Sequence, residues 1–216
     1  TSPLKEKKIE QEFLRFKSLG VIEPAQTAFR NAMTMVERYK SGKLKLRLCM
    51  DSRKLNAITK VEKYDLPTIT TILSRLGTAR YMSKIDLKDA YLQIPLTERS
   101  KEKTAFFVKG HGVWQFVTMP FGLVNCSATM QRLMDKLFGD LDGMVFVYQD
   151  DLVIISEEFN DHLKLLSIVA KRLREANLSI NFEKSGFCLS NMRYMGYIID
   201  EQGLRPDPEK VSCVLK

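Results

Sequence analysis

The segment Val145–Ser156, VFVYQDDLVIIS, sets two adjacent aspartates between two apolar, largely β-branched runs. Met144–Tyr148 and Leu152–Ser156 read as strands, and so short a separation predicts an antiparallel hairpin with Gln149, Asp150 and Asp151 at its turn. Aspartate is a common turn residue, which accounts for one of the two carboxylates. Two in succession repel, and each raises the cost of ionising the other unless a cation lies beside them. A divalent ion removes the conflict, because Mg²⁺ takes one or two protein carboxylates and completes its octahedron with water and phosphate oxygens. A third carboxylate on a neighbouring strand would allow a two-metal centre, and Asp86, near the end of the predicted strand Tyr81–Leu87, is the candidate.

Helical periodicity surrounds this hairpin. Met130, Leu133, Met134, Leu137 and Phe138 share one face of a predicted helix over Ser127–Phe138, a packing stripe for a sheet. A second helix is predicted from about Asn160 to Asn177, with Leu163, Leu166, Val169, Leu173 and Ala176 as its stripe and Lys171, Arg172 and Arg174 complementing the dipole of its last turns. At the other end of the chain, Ser2 and Pro3 open a helix on which Ile9, Phe13 and Phe16 share a face, and Gly20 stops it. Tyr39–Lys43 forms the tip of a hairpin whose returning strand carries Leu44, Leu46 and Leu48 on one side and Lys43, Lys45 and Arg47 on the other. A further hairpin turns at Lys109–Gly112, residues 61–76 read as a turn followed by a short helix, and the tail supplies short strands broken by glycine and proline. Helices packed on one face of an antiparallel sheet make this an α+β fold.

Composition narrows the partners. The net charge is +8, and residues 1–60 hold 14 Lys and Arg against 6 Asp and Glu, leaving 20 of each in the remainder. A basic N-terminal lobe on a neutral body suits a polyanion gripped from one side. No apolar run reaches the ~18 residues of a membrane span, and the first residues lack the apolar centre of a secretory signal. The chain therefore reads as soluble and intracellular. Cys49, Cys126, Cys188 and Cys213 are scattered, as reduced thiols would be, and His111 and His162 read as surface residues, which leaves little for a triad.

Five blocks in order, RLCMDSRKLN, IDLKDAYLQIPL, KTAFFV, QFVTMPFGLVNCSATMQRLMD and YQDD, resemble the reverse transcriptase of LTR retrotransposons, most closely the gypsy type. The resemblance runs from about Val21 to Val211 and implies a right-hand polymerase fingers and palm, with an antiparallel palm sheet. Residues 1–80 would form part of the fingers and 81–216 mainly palm, with a fingers insertion at about 95–118; thumb, connection and RNase H parts would be absent. It implies template-directed transfer of deoxynucleotides to a primer 3′-hydroxyl, with two Mg²⁺ ions, for which Mn²⁺ can substitute. Partners would be an RNA or DNA template, a primer, deoxynucleoside triphosphates and the rest of a retroelement polyprotein, in a cytoplasmic particle or the nucleus.

Residue by residue, the resemblance makes Asp86 and Asp150 the main metal ligands and Asp151 the third, with Lys184 protonating the leaving pyrophosphate. Arg47 would grip the triphosphate, with Arg38, or else Lys40 or Lys43, as its partner. Asp89, Ala90 and Tyr91 match the nucleotide-binding turn, Tyr91 obstructing a 2′-hydroxyl, while Phe121 lines the nucleotide pocket. Gln131 would contact the template side, and Met195 and Gly196 would form the tip of the primer grip. The chain departs from the family pattern at Cys126, Ser127, Met130 and Gln149. Two other classes remain in view: a nucleic-acid-binding remnant without useful turnover, and another palm-type nucleotidyl transferase or cyclase.

Overall fold

A computed structural model of the chain describes residues 3–40, 43–65, 72, 73, 76, 79–200 and 203–209, with the side chains of 3–5 and 37–47 outside the description. The described strands are β1 (Ile22–Pro24), β2 (Ala32–Lys40), β3 (Lys43–Asp51), β4 (Tyr81–Asp86), β5 (Phe106–Val108) and β6 (Gly112–Phe116). They continue as β7 (Val145–Tyr148), β8 (Asp151–Ser156), β9 (Gly186–Leu189), β10 (Met192–Tyr194), β11 (Tyr197–Asp200) and β12 (Gly203–Pro206). Contacts divide the chain into two units, Thr1–Glu62 with Tyr91–Cys126, and Lys63–Ala90 with Ser127–Lys216. Ile72, Leu73 and Leu76 are buried in the core of the second unit.

In the first unit, helix Pro3–Ser18 presents Ile9, Phe13 and Phe16 to a core of Val21, Ile22, Leu48, Phe106, Trp114 and Phe116. The helix ends where glycine was expected to end it, with the Gly20 N–H donating to the Lys17 carbonyl at 3.1 Å. A three-stranded sheet in the order β1-β6-β5 and the long β2–β3 hairpin complete the unit. The hairpin closes on the pair Lys40–Lys43; its expected tip residues Ser41 and Gly42 lie outside the described residues.

The second unit is built on a four-stranded antiparallel sheet in the order β7-β8-β4-β9. On one face Met82, Phe146, Val153 and Ile155 pack with Met192, Tyr194 and Ile199 from the small β10-β11-β12 sheet. The opposite face, carrying Ser83, Leu152 and Ile154 by alternation, meets helix Phe159–Glu175, which packs on β8 and β4. Both faces are thus covered, which explains why β7 and β8 read as unbroken apolar runs.

That helix corrects two expectations. Its buried stripe is His162, Leu165, Val169 and Leu173, whereas Leu163 is exposed. His162 is not a surface residue but fully buried, because Ser83 Oγ lies 2.7 Å from its Nε2 and Ser156 Oγ 3.0 Å from its Nδ1. Two strand hydroxyls satisfy the ring, so it occupies a position that spacing alone assigns to an aliphatic residue. Among the described helices none is long and apolar enough to cross a membrane.

Candidate active site

Strand register brings the carboxylates together. In the β4–β8 ladder Asp86 is paired directly with Asp151, which places both side chains on the same sheet face. The Leu87 N–H donates to the Asp150 carbonyl at 3.2 Å and ties the hairpin tip to the end of β4. Tyr148 pairs with Asp151, so the connection is a two-residue loop of Gln149 and Asp150. Asp151 therefore belongs to β8 and not to the turn, as the sequence had suggested. Asp150 projects at the exposed tip while Asp86 and Asp151 are largely buried.

Asp86 is held from a second direction. Its N–H donates to Ser185 Oγ at 3.1 Å, its carbonyl accepts from the Asn181 N–H at 2.7 Å, and its Oδ1 lies 3.2 Å from Lys184 Nζ. The N–H groups of Lys184 and Ser185 both donate to the Asn181 carbonyl, so one tight turn carries all three contacts. Lys84, two residues before Asp86 and on the same face, places its Nζ 3.0 Å from Asp151 Oδ2 and 5.4 Å from the centre of the Tyr194 ring. Lys84 and Tyr194 were not singled out in the sequence, although the two-residue period from Asp86 pointed to Lys84.

Burial pushes the Asp151 carboxyl above the usual carboxylate range; the Lys84 ammonium draws it back, and the charges of Asp150 and Asp86 push it up further. Burial, together with the charges of Asp151, Tyr148 and Asp150, also raises the Tyr194 phenol, whose hydroxyl has no hydrogen-bond partner among the described residues. Among the described residues no three His, Cys, Asp or Glu side chains form a closed metal-binding group. The donor set nevertheless fits Mg²⁺, which needs only one or two carboxylates and takes its other oxygens from water and phosphate. Clustered carboxylates that draw two ammonium groups onto themselves are an environment in which added positive charge is favourable.

The other expected residues are distributed over both units. Met195 and Gly196 form the two-residue loop between β10 and β11, with φ +50° and +86°. Two positive φ values in succession are the pattern of a tight primed turn, and glycine is what lets the second position adopt it. Asp89 has φ +47° and Ala90 is buried. In the first unit the rings of Tyr91 and Phe121 lie 5.3 Å apart. Arg47 is opposite Val36 and Arg38 opposite Lys45 in the β2–β3 register, but both side chains lie outside the described residues. Gln131, expected at the template side, is 1% exposed. Its amide is committed inside the protein, donating to Asp135 Oδ1 at 2.9 Å and to the Val147 carbonyl at 3.3 Å.

Residues 38–199 match the family described as reverse transcriptase (RNA-dependent DNA polymerase). The chain is 37% identical over 199 residues to the retrovirus-related Pol polyprotein from transposon gypsy of Drosophila melanogaster, covering 90% of this chain and 19% of that protein. It is 32% identical over 209 residues to the Pol polyprotein from transposon opus of the same organism, covering 95% and 21%. The chain thus spans about a fifth of the length of these relatives. Among solved structures, the foamy viral protease-reverse transcriptase in complex with an RNA/DNA hybrid matches with a TM-score of 0.88 at 24% identity, over 100% of this chain and 28% of that one. The dRH form in complex with double-stranded DNA matches with a TM-score of 0.85 at 25% identity, over 93% and 35%. At that likeness the α+β fold is the fingers and palm of a right-hand polymerase.

Proposed function

Since the chain belongs to the reverse transcriptase family, we propose that it carries the core of an RNA-directed DNA polymerase, adding deoxynucleotides to a primer 3′-hydroxyl with release of pyrophosphate. The observation that carries this reading is the register of β4 with β8, which collects Asp86, Asp150 and Asp151 at one end of the sheet. Asp86 and Asp150 are the residues that would hold Mg²⁺, with Asp151 in support. When bound, the metal supplies charge neutralisation at the phosphates and a more acidic primer hydroxyl.

The remaining residues position substrate and carry charge. Lys84 balances Asp151, which neutralises that carboxylate and leaves Asp150, at the exposed tip, for the metal. Lys184, beside Asp86, is the donor of a proton to the leaving pyrophosphate. In the first unit, proposed as fingers, Arg47 and Arg38 grip the triphosphate from the β2–β3 hairpin, Lys40 or Lys43 being alternatives to Arg38. Asp89 and Ala90 shape the nucleotide turn, the Tyr91 ring excludes a 2′-hydroxyl, and Phe121 supports it. A cavity of about 660 Å³ in the same unit, lined by Arg30, Arg53, Lys54 and Lys103 beside Phe29 and Ile58, supports nucleic-acid binding through phosphate and base contacts. The second unit is proposed as palm, with Met195 and Gly196 holding the primer end.

A second reading has one observation in its favour. Lys84 and Lys184 already pair with Asp151 and Asp86, an arrangement that a nucleic-acid-binding remnant without turnover could keep. Extension of a primer annealed to an RNA template in Mg²⁺ decides between them. Incorporation supports the polymerase; salt-sensitive binding without incorporation, by this chain and by a longer Pol chain that contains it, supports the remnant.

A further inference from the structure

Gln149 is the first residue of the loop between β7 and β8, and its φ is +59°. A two-residue hairpin loop with positive φ at its first position ordinarily takes glycine there, because a Cβ crowds the backbone in that region. Asp150 follows at once and Asp151 opens β8, so relaxation of Gln149 toward negative φ would redirect the carboxylates. The Gln149 N–H donates to Gln131 Oε1 at 3.2 Å.

The orientation of the Gln131 amide is fixed by its partners. The Val147 carbonyl is an acceptor only, so the amide nitrogen must face it and, with it, Asp135 Oδ1, and Oε1 is left for the Gln149 N–H. Asp135 is itself held, receiving the Tyr64 hydroxyl on Oδ2 at 2.6 Å. A run of hydrogen bonds, Tyr64 to Asp135 to Gln131 to Gln149, therefore ends at the residue before the aspartate pair.

Resting on the polymerase reading, we propose that Gln131 is a positioning residue that holds Gln149 in its left-handed conformation and thereby aims Asp150 and Asp151. Glutamine suits the place because it offers a donor to Asp135 and an acceptor to Gln149 at once. Glutamate would set a second carboxylate against Asp135 and the Val147 carbonyl. Methionine would keep the volume and leave the Gln149 N–H without its acceptor.

The test is amide hydrogen exchange in the full 216-residue chain, wild type against Gln131→Met. Protection at the Gln149 amide should fall by roughly tenfold or more while the amides of Leu152 and Ile154 in β8 keep theirs. In primer extension the same variant should lose kcat by about tenfold with the nucleotide KM little changed, and Gln149→Gly added to it should restore part of kcat, since glycine takes positive φ without a Cβ penalty. Unchanged exchange at Gln149, or loss of protection throughout β7 and β8, overturns the positioning role. So does an unaltered kcat in Gln131→Met. A wild type that never extends a primer, either as this chain or within a longer Pol chain that contains it, with exchange loss confined to Gln149, overturns the polymerase reading and leaves the turn-holding role standing.

Discussion

Lys84→Met removes the ammonium 3.0 Å from Asp151 Oδ2 while keeping most of the stem, and the two side chains are only 25% and 20% exposed. At an effective dielectric of 20 such a pair attracts by roughly 5 kcal/mol before desolvation and side-chain entropy are subtracted. Exposed pairs net about 0.2–1 kcal/mol, and breaking a fully buried pair costs about 3–5 kcal/mol. At this depth the substitution should cost about 2 kcal/mol, because it also leaves Asp151 facing Asp86 and Asp150 without a counter-ion. For a chain of this length that corresponds to a Tm lower by roughly 4–8 °C. Thermal unfolding followed by far-UV circular dichroism, at low ionic strength in EDTA and again in MgCl₂, measures it. If the folded carboxylate cluster holds Mg²⁺ as proposed, the ion should stabilise the variant more than the wild type, because it would no longer compete with Lys84. Trp114, the sole tryptophan, lies in the first unit, so its fluorescence at low denaturant checks that the damage begins in the second. Equal Tm values for variant and wild type in EDTA would refute the electrostatic reasoning, and equal Mg²⁺ shifts would refute the competition.

Burial lowers the His162 pKa below its usual 6.5, so the unfolded chain takes up a proton that the folded chain refuses. Stability should be full above that value and fall as pH drops through it, with a slope of up to about 1.4 kcal/mol per pH unit until the folded pKa is reached; His162→Gln should flatten this slope in urea titrations. Leu152→Ala, at a fully buried position beside Asp151, should cost about 2–5 kcal/mol in the same titrations, and a loss near zero would contradict the two-sided packing of the sheet. Tyr91→Ala should admit ribonucleotides more readily relative to deoxynucleotides in primer extension; an unchanged ratio would remove its role at the sugar.

Local chemistry was legible where one short stretch carried it. Gly20 announced a helix end, and the apolar runs flanking QDD announced a hairpin. Asp86 was legible as a strand end, and the β4–β8 register sets it opposite Asp151. What the sequence hid was side-chain pairing over distance. His162 looked like a surface residue because its partners, Ser83 and Ser156, lie on two strands that only the fold brings beneath it. Gln131 looked like an outward polar residue because Asp135 is its helix neighbour, whereas its other two partners, at Val147 and Gln149, belong to the hairpin. Asp151 looked like a turn residue because composition does not say that Gln149 accepts a positive φ and so shortens the loop to two residues.

Asp86, Asp150 and Asp151 are proposed as the centre at which a primer is extended. Single-turnover extension of a DNA primer on an RNA template in Mg²⁺, by the wild type and by Asp150→Asn, tests it most directly. The wild type should incorporate nucleotide, and the variant should do so at a rate at least roughly a hundredfold lower, since charge stabilisation at a metal centre is worth several kcal/mol. Equal incorporation by both would contradict it.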